Sequence, residues 1–132
     1  MYRKEVTDAL AAETMYAALF TNTLAYDQLN VAHTTYTQIA ALFTESTGTG
    51  YTAGGKQLTT TSGYIGATNA SALTATASAW AITTALTCRY AVIYEFTGKK
   101  IRAVIDLGGD KVVTSGTITV TWDGTNGIIS VA

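Results

Sequence analysis

The chain has no proline, one cysteine and one histidine among its 132 residues. Each scarcity closes off something. Without proline, the turns must be built by Gly, Asn, Asp and Ser. A single cysteine, Cys88, permits no intrachain disulfide. One histidine and one cysteine cannot furnish the ligand set of a structural zinc ion. Charge is scarce as well: Asp, Glu, Lys and Arg make up 13% of the chain, roughly half the ~25% usual for soluble domains. The net charge of −1 is not the footprint of a nucleic-acid binder or of a partner for acidic surfaces. No apolar run approaches the ~18 residues of a membrane-spanning helix. Residues 1–14, MYRKEVTDALAAET, lack the apolar stretch of a signal peptide. The expectation is a protein made and kept in a cytoplasm, with no cofactor, no nucleic-acid partner and no membrane partner.

What is abundant is threonine, about a fifth of the residues, followed by Ala and Gly. With so few charges, many surface positions must carry Thr, Ser, Ala or Gly. A free monomer usually keeps a charged, mixed surface for solubility, so this composition predicts a protein packed against neighbours in an assembly. The length suits one domain with a real core.

Residues 1–14 hold much of the charge, in Arg3, Lys4, Glu5, Asp8 and Glu13, and read as an N-terminal arm ahead of a body spanning 15–132. MYAALF reads as a first strand. Tyr36, Ile39, Ala40 and Phe43 fall at i, i+3, i+4 and i+7, which predicts one short helix within 32–43, capped by Thr34 or Thr35. Residues 44–55, TESTGTGYTAGG, read as a Gly-rich loop. Short strands are expected at 57–61 and 64–67, around Leu73, at 89–95 and at 100–107, with 96–99 as a hairpin loop between the last two. Strict alternation at 117–123 places Ile118, Val120 and Trp122 on one face of a strand and threonines on the other. Short strands with regular turn signals predict a mainly β fold, an antiparallel β-sandwich of jelly-roll or immunoglobulin-like type.

No residue set stands out as catalytic. His33 lies among threonines and alanines, with no GxSxG elbow to serve, and is expected as a solvated residue near the helix start. Glu95 and Asp106 could face each other across a hairpin as a glycosidase pair. Turn and surface roles explain them better, with Lys99, Lys100 and Arg102 at hand to balance them. Asp110 and Asp123 adjoin glycines and read as turn residues. GYTAGGK at 50–56 has the outline of a phosphate loop, but Gln57 stands where Ser or Thr belongs. Cys88 reads as a small buried hydrophobe, and Trp80 and Trp122 as core. The residues expected to make contacts between molecules are Tyr2, Arg3, Lys4, Tyr26, Tyr51 and Tyr64, because tyrosines are common interface anchors and the arm is free to reach.

Taken in order, GTGYTAGGKQL at 48–58, the patch at Trp80, RYAVIYEFTGKKIRAVIDLGGDKVV at 89–113 and SGTITVTWDGTNGIISVA at 115–132 resemble a group of small virion structural proteins of tailed bacteriophages. Members of that group are described as capsid decoration, head-fibre or minor tail proteins. The resemblance implies a non-enzymatic virion part. The expected role is capsid decoration or cement, binding the major capsid protein on the shell surface as a homo-oligomer. The alternative it leaves open is a tail, baseplate or fibre-tip component that touches the host surface.

Overall fold

The structure is a computed structural model and describes residues 9, 11–24, 33–65, 70–122 and 129–131. It is mainly β, with antiparallel sheets and one short helix. The strands are β1 (Met15–Phe20), β2 (Lys56–Gln57), β3 (Thr60–Ile65), β4 (Ala70–Ala75), β5 (Ser78–Ile82), β6 (Leu86–Glu95), β7 (Ile101–Val113), β8 (Gly116–Val120) and β9 (Ile129–Val131). Helix α1 (Tyr36–Leu42) falls between β1 and β2. The largest sheet has the order β2-β1-β6-β7, beside a β3-β4-β9 sheet and a β5-β8 ribbon.

The alternation of β1 explains the layering. Met15, Ala17 and Leu19 face one way and join Ala91 and Ile93 of β6, Trp80 and Ile82 of β5, Ile118 and Val120 of β8, and Leu73 of β4 in one buried cluster. The two smaller sheets therefore cover one face of the large sheet. Ala18 and Phe20 face the other way, with Tyr90, Val92 and Tyr94 of β6, and Ile39 of α1 packs onto them. Period two gives each strand two faces. Because both faces of β1 and of the 90–94 part of β6 are covered, these stretches are apolar and aromatic throughout.

The helix forms within the expected window but is shorter. Thr35 is its cap: its side chain accepts from the Gln38 N–H, while the Gln38 side chain accepts from the Thr35 N–H, a reciprocal capping box. Tyr36, Ile39, Ala40 and Phe43 form the packed side, as their spacing predicts.

Three expectations need correction. The strand at 100–107 does not stop at a Gly108-Gly109-Asp110 turn. β7 runs on to Val113, and the glycines, both at positive φ, sit at a register shift opposite Cys88 and Tyr90. They make a bulge, which a strand interior accommodates with glycine. Likewise Ser62-Gly63 does not divide two strands, since β3 passes through it without a break. Lastly, 57–61 is not one strand but the end of β2 and the start of β3, which belong to different sheets. Of the proposed arm, residues 1–8 and 10 lie outside the described residues. Its last part is tied down, because Glu13 pairs with Arg102 of β7.

Candidate functional site: a tyrosine cluster on Glu45 beneath an aromatic cleft

After α1, the chain runs along the free edge of β1. Thr21 donates from its N–H to the Thr44 carbonyl, and Ser46 donates from its N–H to the Leu19 carbonyl, so Glu45 is held opposite Phe20. Residues 47–55 then loop out and return to the same edge as β2. Gly55 allows that return. It has φ +78, and a Cβ there would stand 1.8 Å from the Ala17 carbonyl oxygen. Only glycine permits so close an approach in that conformation.

Three donors converge on the Glu45 carboxylate. The Tyr36 hydroxyl donates to Oε2 at 2.6 Å, and the Tyr51 hydroxyl to Oε1 at 2.7 Å. The Gly54 N–H also donates to Oε1, at 2.8 Å. The network extends outward at two points. The Tyr51 oxygen accepts the Leu19 N–H at 2.8 Å, and the Tyr94 hydroxyl donates to the Gly54 carbonyl at 2.6 Å. One carboxylate thus joins α1, the loop, β1 and, through Gly54, β6. Burial and the neighbouring Glu45 carboxylate push the pKa values of Tyr36 and Tyr51 far above the ordinary phenol range. Burial, and then the charge of Glu45, raises Tyr94 to about 12. All three phenols therefore stay protonated donors at neutral pH, Tyr36 and Tyr51 to the Glu45 carboxylate and Tyr94 to the Gly54 carbonyl, rather than groups that give up a proton in a reaction.

Over this network lies an open cleft of about 540 Å³, lined by Tyr16, Tyr36, Tyr94, Phe96, Lys99 and the 52–57 segment. Tyr36 stacks on Tyr94 and Tyr16 on Phe96, each with ring centroids 4.5 Å apart. The Lys99 ammonium stands 3.7 Å from the Phe96 ring centre. Lys99 is the one non-glycine with positive φ among the described residues, at +59. Its carbonyl accepts the Tyr36 N–H at 2.7 Å, which fixes the hairpin loop to the start of α1.

The residues singled out from the sequence are distributed as follows. Tyr2, Arg3, Lys4, Tyr26 and Asp123 lie outside the described residues, as does the side chain of Tyr64. Tyr51 is half-buried, its ring against Trp80 and its hydroxyl used by Leu19 and Glu45. Glu95 and Asp106 do not meet across the hairpin. Asp106 lies opposite Tyr90 and takes a two-point ion pair from Arg89. That pair, with the Gly108 N–H, holds its carboxyl down at about 2. The N–H groups of Gly98 and Thr97 likewise lower Glu95. A glycosidase needs one carboxyl raised and one ionised, and here both move the same way. The expected balancing bases do not include the real partner of Asp106, which is Arg89, and Arg102 is taken by Glu13. Cys88 is buried, and burial pushes its thiol up, away from reactivity. His33 packs edge-on to Phe43. Among the described residues, no three potential metal ligands gather.

Sequence reasoning missed Glu45. The signal was present: it is the sole acidic residue in a stretch of Thr and Gly between two tyrosines. No family model, curated protein or solved structure matches this chain.

Proposed function

We propose that the protein is a structural component of a tailed-bacteriophage virion that decorates the capsid and cements it. In this reading it performs no catalysis. It binds the major capsid protein at joints of the assembled shell, as a homo-oligomer about a symmetry axis, and stabilises the shell by mass action because it prefers the assembled state. The observation that carries the reading is the outer face of the β5-β8 ribbon. Ala79 pairs with Thr119 and Ala81 with Thr117, and these side chains stand opposite the buried Trp80, Ile82, Ile118 and Val120. The result is a plate of small, uncharged side chains, bordered by Lys56 on the Ala79 carbonyl and by Asp110 and Lys111. Such a plate suits close contact with another surface and keeps charge to its border, where desolvation costs least. The sequence resemblance to small virion proteins points the same way.

The test is co-sedimentation of the purified protein with undecorated phage shells. Binding is expected, and Thr119→Glu, which puts a charge in the middle of the plate, is expected to abolish it while leaving the melting transition in place. A protein that stays in the supernatant sinks the cement reading. A tail or fibre-tip location is the second reading, favoured by the aromatic cleft. Labelling on intact particles separates them: signal over the head supports decoration, and signal at the tail replaces it.

A further inference from the structure

We propose that the cleft over the Glu45 network binds a saccharide that carries a carboxylate. The inference does not depend on where in a virion the protein sits. It rests first on charge. Lys56 and Lys99 line the cleft and no acidic side chain does. The carboxylates of Glu45 and Glu95 are each turned into their own donors, Glu45 to Tyr36, Tyr51 and the Gly54 N–H, and Glu95 to the Thr97 and Gly98 N–H groups. The Lys56 ammonium is bonded to the Ala79 carbonyl at 2.8 Å, so the ammonium that an anion entering the cleft meets is that of Lys99. It rests second on shape and surface. Phe96 is 42% exposed and stacked on Tyr16, forming an aromatic wall of the kind that takes the C–H face of a sugar ring. Thr52 and Gln57, both exposed, supply neutral hydrogen-bonding groups at the rim. A neutral sugar would use the wall and leave the ammonium of Lys99 unmatched.

The position of Lys99 links the two. In the free protein its ammonium rests on the Phe96 ring, a weak contact at an exposed site. A carboxylate offers Lys99 a stronger partner. When the ammonium swings to it, the Phe96 face is uncovered for the sugar ring. The floor does not need to move, because Tyr36 and Tyr94 are held by Glu45 and by the Gly54 carbonyl. The site is thus preformed except for one flexible side chain.

The experiment is a titration of isotope-labelled protein, followed by NMR at the ring protons of Tyr16, Tyr94 and Phe96. The probes are tri-galacturonate, the neutral galactose trisaccharide and a tri-glutamate peptide. Saturable shifts at these rings are expected with the uronate, with the neutral sugar about fivefold weaker. Lys99→Gln is expected to remove that difference without altering the melting transition, and Lys99→Arg to keep it. The proposal is overturned if the rings do not respond to millimolar uronate, or if Lys99→Gln binds both sugars as the parent does. It is also overturned if tri-glutamate binds as tightly as the uronate, which would assign the cleft to acidic peptides.

Discussion

On one face of the large sheet, Met15, Leu19, Ile93 and Ile118 pack with no polar side-chain atom among them. On the other, Phe20 and Val92 share their space with Tyr36 and Tyr94, whose hydroxyls end in the Glu45 network. Tyr51 passes between the two: its ring belongs to the apolar side and its hydroxyl reaches Glu45 at the edge of β1. The apolar side is held by area and volume, which many side chains can supply. The tyrosine side is held by specific donors and acceptors, each costly to leave unmatched once buried. The first kind of packing tolerates substitution by shape, and the second does not tolerate a change of chemistry even when shape is kept.

The edge of β1, where the two sides meet, is where the largest effect is expected. Gly55→Ala would put a Cβ 1.8 Å from the Ala17 carbonyl oxygen, so the loop carrying Gly54 must leave the strand. A loss of more than about 3 kcal/mol is expected, enough to prevent folding at moderate temperature. Gly108→Ala is the control. Its φ is also +78, but nothing lies within 4 Å of the added carbon, so about 1 kcal/mol is expected. Urea midpoints of the two variants measure the difference. Equal midpoints would mean that the close approach at β1 is not what seats the loop.

Within the apolar side, Ile93→Ala should cost about 3 kcal/mol, and Ile93→Leu under about 1.5 kcal/mol. Within the tyrosine side, Glu45→Gln keeps the shape but removes the charge, and it turns an amide donor toward one of three donors. About 2 kcal/mol is expected, because bonds to an ionised acceptor are the strong ones and one hydroxyl must reorient. The comparison is sharpened if Glu45→Gln costs more than Ile93→Leu in parallel chemical denaturation. It breaks if the order reverses.

That asymmetry also governs how much of the molecule can be read from its sequence. The apolar strands are visible because β1 and the 90–94 part of β6 are near-continuous apolar runs and β8 alternates at period two. Each residue's environment is then fixed by its own type and its neighbours' spacing. The helix is visible for the same reason, and its cap by the Thr-x-x-Gln spacing of Thr35 and Gln38. The bulge at Gly108-Gly109 is hidden, because a glycine pair between apolar runs reads as a turn unless the partner strand is known to continue. The Glu45 site is hidden more deeply. Its members come from a helix, a loop and two strands, up to 75 positions apart from Leu19 to Tyr94, and a tyrosine on an apolar stripe looks like core until its hydroxyl has an address.

Alkali should attack the tyrosine side first. The folded-state phenols titrate above their ordinary value of 10.0, with Tyr94 at about 12 and Tyr36 and Tyr51 higher. A raised value means that the folded state keeps its protons longer than the unfolded chain. This stabilisation is whole below pH ~10 and is lost as pH rises through ~12. Stability should therefore fall progressively from pH 10 upward, following tyrosinate absorbance, while Glu45→Gln shows a shallower fall. On the acid side, Asp106 is lowered from 3.8 to about 2. Its contribution is present above pH ~4 and fades as pH falls through ~2, but the pair with Arg89 is exposed and screened. A protein more sensitive to pH 4 than to pH 11 would contradict the weight placed on the tyrosine network.

The smallest effect should also be the most local. Thr35→Ala removes the side chain that accepts from the Gln38 N–H, a loss of about 1 kcal/mol for an N-cap of this kind. Among the described residues, the helix packs on the tyrosine side, through Ile39, Tyr36, Ala40 and Phe43. Fraying its first turn loosens Tyr36 and with it one donor to Glu45, but leaves Trp80 in its apolar cluster undisturbed. The variant should therefore lower tyrosine near-ultraviolet dichroism while Trp80 emission keeps its native wavelength. If both signals moved together, the two sides would be one cooperative core, and Glu45 would couple them tightly rather than merely join them at an edge.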